Sequence, residues 1–148
     1  MVGDAPVDPG LLRDGDLGLE LVDFAVHSYH AVPTYYFRMV NAASGAGMGR
    51  INLRSASTAH IEQYGGHIGY DVEPEHRGHR YAARSVRLLI PLARRLGLDP
   101  LWITCDPENT ASRRTLEIAG AEFVEIVEVP ADCAINKSGH PRKCRYRL

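Results

Sequence analysis

Val72-Glu73-Pro74-Glu75-His76-Arg77-Gly78-His79-Arg80-Tyr81-Ala82 is the stretch from which the rest of this 148-residue chain is best read. It joins two different periodicities. His67 to Val72 (HIGYDV) reads as a short strand, ended by Pro74, which cannot donate to a ladder. From Gly78 to Leu96, the apolar residues Ala82, Val86, Leu89, Ala93 and Leu96 recur three or four apart, which predicts a helix. Pro91 should kink it, because it lacks an N–H and crowds the preceding turn. The turn between strand and helix is basic, carrying Arg77, His79 and Arg80. The first N–H groups of a helix have no partners within it, and its dipole places positive charge there. Bases at such a position cost about 0.3–1 kcal/mol each. A solvated basic turn is the plain alternative, but tolerated repulsion points to an anion. A pyrophosphate suits the site, and Gly78 would let the backbone approach it closely.

Working outward, Leu101 to Cys105 (LWITC) is an apolar run of buried-strand length. Asn109 to Ala119 reads as a second helix, with Asn109 as a good N-cap and Gly120 as its stop. Phe123 to Val129 and Lys143 to Leu148 read as strands around a loop holding Pro130, Gly139 and Pro141. Upstream, Met1 to Asp16 reads as a mobile tail and Leu17 to Val26 as a first strand. Thr34 to Val40 and Arg50 to Arg54 flank a Gly-rich turn as a hairpin. Ser55 to His60 could be a helical turn or a loop. Glycines from Gly45 to Gly49 lead into a strand, so a dinucleotide-binding reading fails its context test. The expected fold is α/β (α+β), with a mostly antiparallel sheet, flanking helices and one crossover. One domain, 17–148, should follow the 1–16 tail.

Seventeen Lys and Arg stand against eighteen Asp and Glu, for a formal charge of −1. No whole-molecule field would draw in nucleic acid or an anionic membrane. A basic module using Arg77 to Arg95 and Lys143 to Arg147 for nucleic acid has only local charge in its favour. Cys105, Cys133 and Cys144 are too few and too spread for a disulfide framework. Met1 leads into an acidic stretch without a signal peptide's basic and apolar regions, and no run reaches membrane-span length. A soluble, cytoplasmic protein is expected. His27-x-x-His30 lacks a third ligand, so no metal is expected.

Pro-Glu-x-Arg-Gly-x-x-Tyr-Ala after a strand resembles the acetyl-CoA loop of the GNAT superfamily of N-acetyltransferases, Arg/Gln-x-x-Gly-x-Gly/Ala. Arg77 matches its first position and Ala82 its last, while Arg80 stands at the middle glycine. We expect Arg80 to be already helical, keeping its N–H and turning the guanidinium toward a phosphate. Asn-x-x-Ser-Arg-x-x-Leu-Glu-x-x-Gly, from Asn109 to Gly120, is similar to the branch containing the ribosomal-protein N-terminal acetyltransferases. The resemblance spans roughly Gly45 to Val129. It implies a pair of strands splaying between Val72 and Trp102, with the thioester in the gap. It implies that backbone groups of Asp71 and Val72 bond the pantetheine arm. The turn comprising Arg77, Gly78, His79, Arg80, Tyr81 and Ala82 would hold the pyrophosphate, with Asn109 and Ser112 on the opposite helix.

The implied reaction is transfer of an acyl group, acetyl by analogy, from acetyl-CoA to a primary amine on a small molecule or a peptide or protein N-terminus. An alkyl ammonium titrates near about 10.4, so a base or desolvation must help. His67 and Asp71 share a strand face by the two-residue period, with Glu62 just before them. A backbone N–H near Val72 would serve as oxyanion donor. Many relatives protonate the leaving thiolate with a tyrosine in the second helix. That position holds Leu116 here, and Ser112 is the available replacement. The family's two helices between the first strands are reduced to Ala25 to Thr34, which predicts an open acceptor groove or one completed in a homodimer. The main alternative is an inactive coenzyme A-binding sensor.

Overall fold

The computed structural model describes residues 6–148, so the start of the expected tail lies outside the described residues. Among the described residues, eight strands and three α-helices follow in order. They are β1 (Leu12–Asp14), β2 (Leu17–Val26), β3 (Pro33–Asn41), β4 (Gly47–Arg54), β5 (Ile68–Val72), α1 (Tyr81–Arg95), β6 (Trp102–Cys105), α2 (Thr110–Ile118), β7 (Glu122–Glu128), α3 (Ala134–Lys137) and β8 (Arg142–Arg147). One sheet has the order β1-β2-β3-β4-β5 and the other β6-β8-β7, antiparallel throughout. The mixed, mostly antiparallel α/β architecture is the expected one.

Alternation builds the larger sheet. Leu17, Phe37, Met39, Ile51 and Leu53 point inward and are almost fully buried, while Glu20 and Arg38 face out and pair at 3.0 Å. Val86, Leu89, Leu92 and Ala93 of α1 cover the inner face as its apolar stripe. Helix α1 runs through Pro91 without ending. Pro91 sits on the exposed side, where water can satisfy the carbonyl it leaves unpaired.

The two sheets meet at their facing edges, where β5 and β6 share no ladder. They touch where the His67 N–H donates to the Trp102 carbonyl at 2.6 Å. Beyond that point a gap opens between the strands.

Three expectations need correction. The tail reading fails for residues 12–16: β1 pairs with β2, and Leu12 is buried. Arg84 of α1 grips this segment, donating from Nε to Asp14 Oδ2 at 2.7 Å and from Nη2 to Asp16 Oδ1 at 2.8 Å. Helix α1 starts at Tyr81 rather than Gly78, because Pro74–His76 forms a separate 3-10 turn. The loop after β7 contains the short helix α3. Among the described residues, no helix is long and apolar enough to cross a membrane.

Candidate active site

The loop between β5 and α1 bends through two positive-φ residues, Gly78 at 95° and Arg80 at 61°. Arg80 is the left-handed cap residue of α1, not its first helical residue. The expectation that it would be helical is overturned: leaving the 3-10 turn and entering α1 requires this conformation, which a residue with a Cβ adopts at a cost of about 1–3 kcal/mol. The first bond into the helix runs from Arg84 N to Arg80 O at 2.9 Å. Among the described residues, the N–H groups from Gly78 to Ala83 find no protein acceptor. Helix α1 has no acid in its first turn. Successive unpaired amides around left-handed residues form an anion cradle.

The β4–β5 register decides which backbone groups of β5 are free. Arg54 N donates to His67 O and Glu73 N to Met48 O, while Tyr70 lies opposite Ile51 and Val72 opposite Gly49. By antiparallel alternation, Asp71 turns its backbone toward β4, whereas Tyr70 and Val72 turn theirs into the gap. Of the two β5 residues expected to offer backbone groups to a pantetheine arm, Asp71 therefore faces β4, and the backbone groups of β5 that face the gap are those of Tyr70 and Val72. The Val72 carbonyl accepts Arg77 Nε at 3.0 Å, and the Asp71 carboxylate lies 4.0 Å from Arg77 Nη2.

Across the gap, Asn109 caps α2 by accepting the Ser112 N–H at 3.0 Å. The Ser112 hydroxyl meets the Tyr70 hydroxyl at 2.6 Å. Between the α1 mouth, β5 and α2 lies a groove of about 650 Å³. It gathers Asp71, Val72, Arg77, Gly78, Arg80, Tyr81, Ala82, Asn109 and Ser112 along one wall or another. His79 does not line it; its ring rests on Tyr81 instead, with centroids 5.3 Å apart. A diphosphate carrier with an extended arm fits this groove, because the cradle amides and the free edge of β5 both look into it.

His67 is not placed as a base. It is fully buried; Nδ1 accepts the Trp102 N–H at 2.9 Å, and the opposite nitrogen meets Ser57 Oγ at 2.7 Å. Accepting an amide N–H forces the neutral form with its proton on Nε2. Burial, aided by Arg54 and opposed by Glu62, lowers its pKa to about 4. Leu116, at the family's tyrosine position, is fully buried.

A second cavity of about 640 Å³ opens on the other side of Tyr70, Asn109 and Ser112, which line both spaces. Tyr29 and His30 come from the short β2–β3 loop, Tyr64 from the π-helical turn Ile61–Gly65, and Ile135 from α3. Tyr29 Oη lies 3.4 Å from Cys133 Sγ, joining the two walls. The expected open groove is thus walled by this chain's own 129–141 segment. His27 Nδ1 accepts the N–H groups of Tyr29 and His30, both at 3.0 Å, which fixes the turn of the β2–β3 loop. On the far wall Asp106 is held by His140 at 2.6 Å and Lys143 at 3.1 Å. Burial alone would raise its pKa, but these two partners hold it below the usual value. Tyr70, Arg54 and the α3 segment are the residues that sequence reasoning missed. Inward phase on β5 was the signal available for Tyr70; Arg54 alternates with the inward Ile51 and Leu53 of β4 and carried no such signal.

The profile of the Acetyltransferase (GNAT) domain matches residues 19–122. The chain belongs to the GNAT acetyltransferase family. Ribosomal-protein-S5-alanine acetyltransferase from Vibrio fischeri shares its fold with a TM-score of 0.60 and 18% identity, over 78% of this chain and 61% of that one. A GNAT-family acetyltransferase from Bacillus anthracis aligns with a TM-score of 0.59 and 19% identity, over 76% and 64%. The microcin C7 self-immunity acetyltransferase MccE, solved with acetyl-CoA and AMP, aligns with a TM-score of 0.59 and 14% identity, over 78% and 60%. The chain thus spans less than two thirds of the length of each of these proteins. No curated protein sequence matches it.

Proposed function

We propose that this GNAT domain binds acetyl-CoA in the groove between α1, β5 and α2 and transfers the acetyl group to a primary amine in the adjoining cavity. The observation that carries the reading is the run of unpaired amides from Gly78 to Ala83, opening into a groove that reaches the second cavity at Tyr70 and Ser112. Acetyl-CoA would supply the activated thioester. The cradle amides and Arg80 would hold its diphosphate, and the free backbone of Tyr70 would align its arm. The Val72 N–H, free of β4, suits the oxyanion.

The amine nitrogen would attack the thioester carbon, the N–C bond forming as the C–S bond breaks. The amine's proton passes to the Tyr70–Ser112 pair as that pair gives one to the thiolate, so both hydroxyls end protonated as they began. Asp71 is exposed and beside Arg77, on the face turned away from that pair, which favours Ser112 among the three sequence candidates. We place the domain from Leu12 rather than Leu17, since β1 is part of the sheet.

The test joins calorimetry with acetyl-CoA to thiol release over a panel of amines and peptides. Binding with turnover is expected. A buried Leu116 where relatives keep a tyrosine favours the second reading, a coenzyme A sensor; binding without turnover on any acceptor would select it.

A further inference from the structure

Arg54 is a buried cation of the second cavity, and among the described residues it has no counter-ion. It ends β4 with 8% of its surface exposed. Nη1 donates to the carbonyls of Gly65 at 3.1 Å and Gly66 at 2.6 Å. Nε is buried without an acceptor. Nη2 has no protein partner among the described residues, yet it is not sealed away as Nε is. No carboxylate among them pairs with this guanidinium. Its neighbours are imidazoles held neutral: burial first, then the Arg54 charge, lowers the pKa values of His27, His30 and His60. Buried nitrogens of His30 and His60 also lack partners.

Two carbonyls of a turn do not explain this arrangement. A neutral donor would serve them without the penalty of taking a full charge out of water, which is several kcal/mol for an unpaired ion. What a cation adds is attraction for an anion, and the vacant donor lies on the cavity side. A Cβ built on Gly69 would come within 3.3 Å of Nη2 and 3.2 Å of Asn52 Oδ1, so the absence of a side chain there leaves Nη2 uncrowded from that side. Gly69 adjoins Tyr70, whose hydroxyl marks the opening to the groove. Across the cavity, Asp106 is already paired with Lys143 at 3.1 Å and in contact with His140 Nδ1 at 2.6 Å.

We infer that the cavity takes amines that also carry a carboxylate or a phosphate, with that anion docked on Arg54 Nη2. This deepens the acetyltransferase reading by naming its acceptor class: an amino acid, a peptide ending nearby, or an aminoalkyl phosphate. The amine end would then lie toward Tyr70 and Ser112.

The test has two arms that fail separately. In the first, the Arg54 Nε–Hε resonance, assigned by its loss in Arg54→Lys, is followed while acetate or inorganic phosphate is added at constant ionic strength. The expected result is a saturable shift, and the anion that binds tighter identifies carboxylate or phosphate as the preferred group. A resonance unmoved by both anions overturns the inference, whether or not acetyl-CoA binds. In the second, thiol release from acetyl-CoA compares β-alanine with β-alaninamide, and phosphoethanolamine with ethanolamine. A charge-assisted contact predicts a preference in kcat/KM of about tenfold to a hundredfold for the anionic member of at least one pair. That preference should fall toward unity in Arg54→Gln. Equal use of charged and neutral acceptors overturns the inference while leaving the acetyltransferase reading intact. If Arg54→Gln does not fold, the wild-type titration and the wild-type preference decide. If no amine turns over, the acetyltransferase reading fails and the titration alone decides the anion site.

Discussion

His67 holds Trp102 by both ends of its peptide frame: its own N–H donates to the Trp102 carbonyl at 2.6 Å, and its Nδ1 accepts the Trp102 N–H at 2.9 Å. A side chain here supplies the acceptor that a neighbouring strand would offer, at the point where the two sheets touch. Past it the strands part and the gap begins. His67→Leu should therefore cost about 2–4 kcal/mol of stability, since it orphans a backbone donor and the Ser57 hydroxyl. The expected outcome is a clear fall in Tm, with kcat per folded molecule nearly retained. A base role predicts the reverse, a large loss of kcat at unchanged Tm.

The same burial makes stability depend on pH. His67 and His30 are lowered to about 4 and about 3, chiefly by desolvation. In the unfolded chain each titrates near about 6.5. Above that value both states are neutral and the native state is at full stability. As pH falls below it, the unfolded chain binds protons that the folded one refuses, so stability drops. Urea unfolding at about pH 7.5 and about pH 5 should show the loss. The carboxylates with lowered pKa values, Asp16 and Asp106, contribute only in more acid solution. Equal midpoints at the two pH values would contradict the assignment of these imidazoles as neutral.

Much of this was legible in sequence and some was not, for reasons that differ by residue. The hairpin, the helices and the cradle follow from local periodicity and punctuation, which is why Val72 to Ala82 could be placed from the text alone. Strand β1 was hidden because Pro9, Gly10 and Gly15 mark the segment as a loop, and its anchor, Arg84, lies 70 residues from Asp14. The meeting of Tyr70 with Ser112 is likewise a contact 42 residues apart. Arg80 misled because a left-handed backbone in a non-glycine residue is set by the chain around it, not by its own preference. Arg54 reads as an ordinary strand-end cation until its burial is seen.

Arg80 separates fold from ligand. Its φ of 61° carries strain that glycine would not. Arg80→Gly should thus leave stability unchanged or raise it by about 0.5–1 kcal/mol. If the guanidinium meets the diphosphate, the same substitution weakens acetyl-CoA by about tenfold, the usual worth of a charge-assisted bond. Thermal melts and calorimetry on one variant read both effects. A variant that is more stable and binds equally well would remove Arg80 from the site.

Gly78 gives a graded version of that test. A Cβ there meets nothing within 4 Å, but the residue sits at φ 95°. Gly78→Ala should cost about 1–2 kcal/mol through backbone strain alone and keep measurable affinity for acetyl-CoA. Gly78→Glu adds a carboxylate where the diphosphate is expected, and binding should vanish at a similar stability. Micromolar affinity in the glutamate variant would show that the amides from Gly78 to Ala83 are not the cradle.

Tyr70 is the residue whose loss should separate chemistry from binding. Its hydroxyl is held by Ser112 at 2.6 Å, at the boundary of the two cavities. Burial raises its pKa to about 12 against the opposing Ser112 hydrogen bond, so it keeps its proton throughout an assay. A departing thiolate, basic at about 8.5, can accept a hydrogen bond and then a proton from it, with Ser112 returning one to the phenol. Tyr70→Phe keeps the ring and the backbone groups that face the gap. It should lower kcat by about a hundredfold, within the range for a positioned acid, while the KM for acetyl-CoA changes little. Ser112→Ala should lose less, because Tyr70 would still reach the sulfur directly. The asymmetry matters for the assignment: if Ser112→Ala proves the more damaging, the serine is the donor and the tyrosine only positions it. An activated thioester with a more acidic thiol should restore much of the rate lost in Tyr70→Phe. No such rescue would place the tyrosine in substrate positioning rather than in protonating the leaving group.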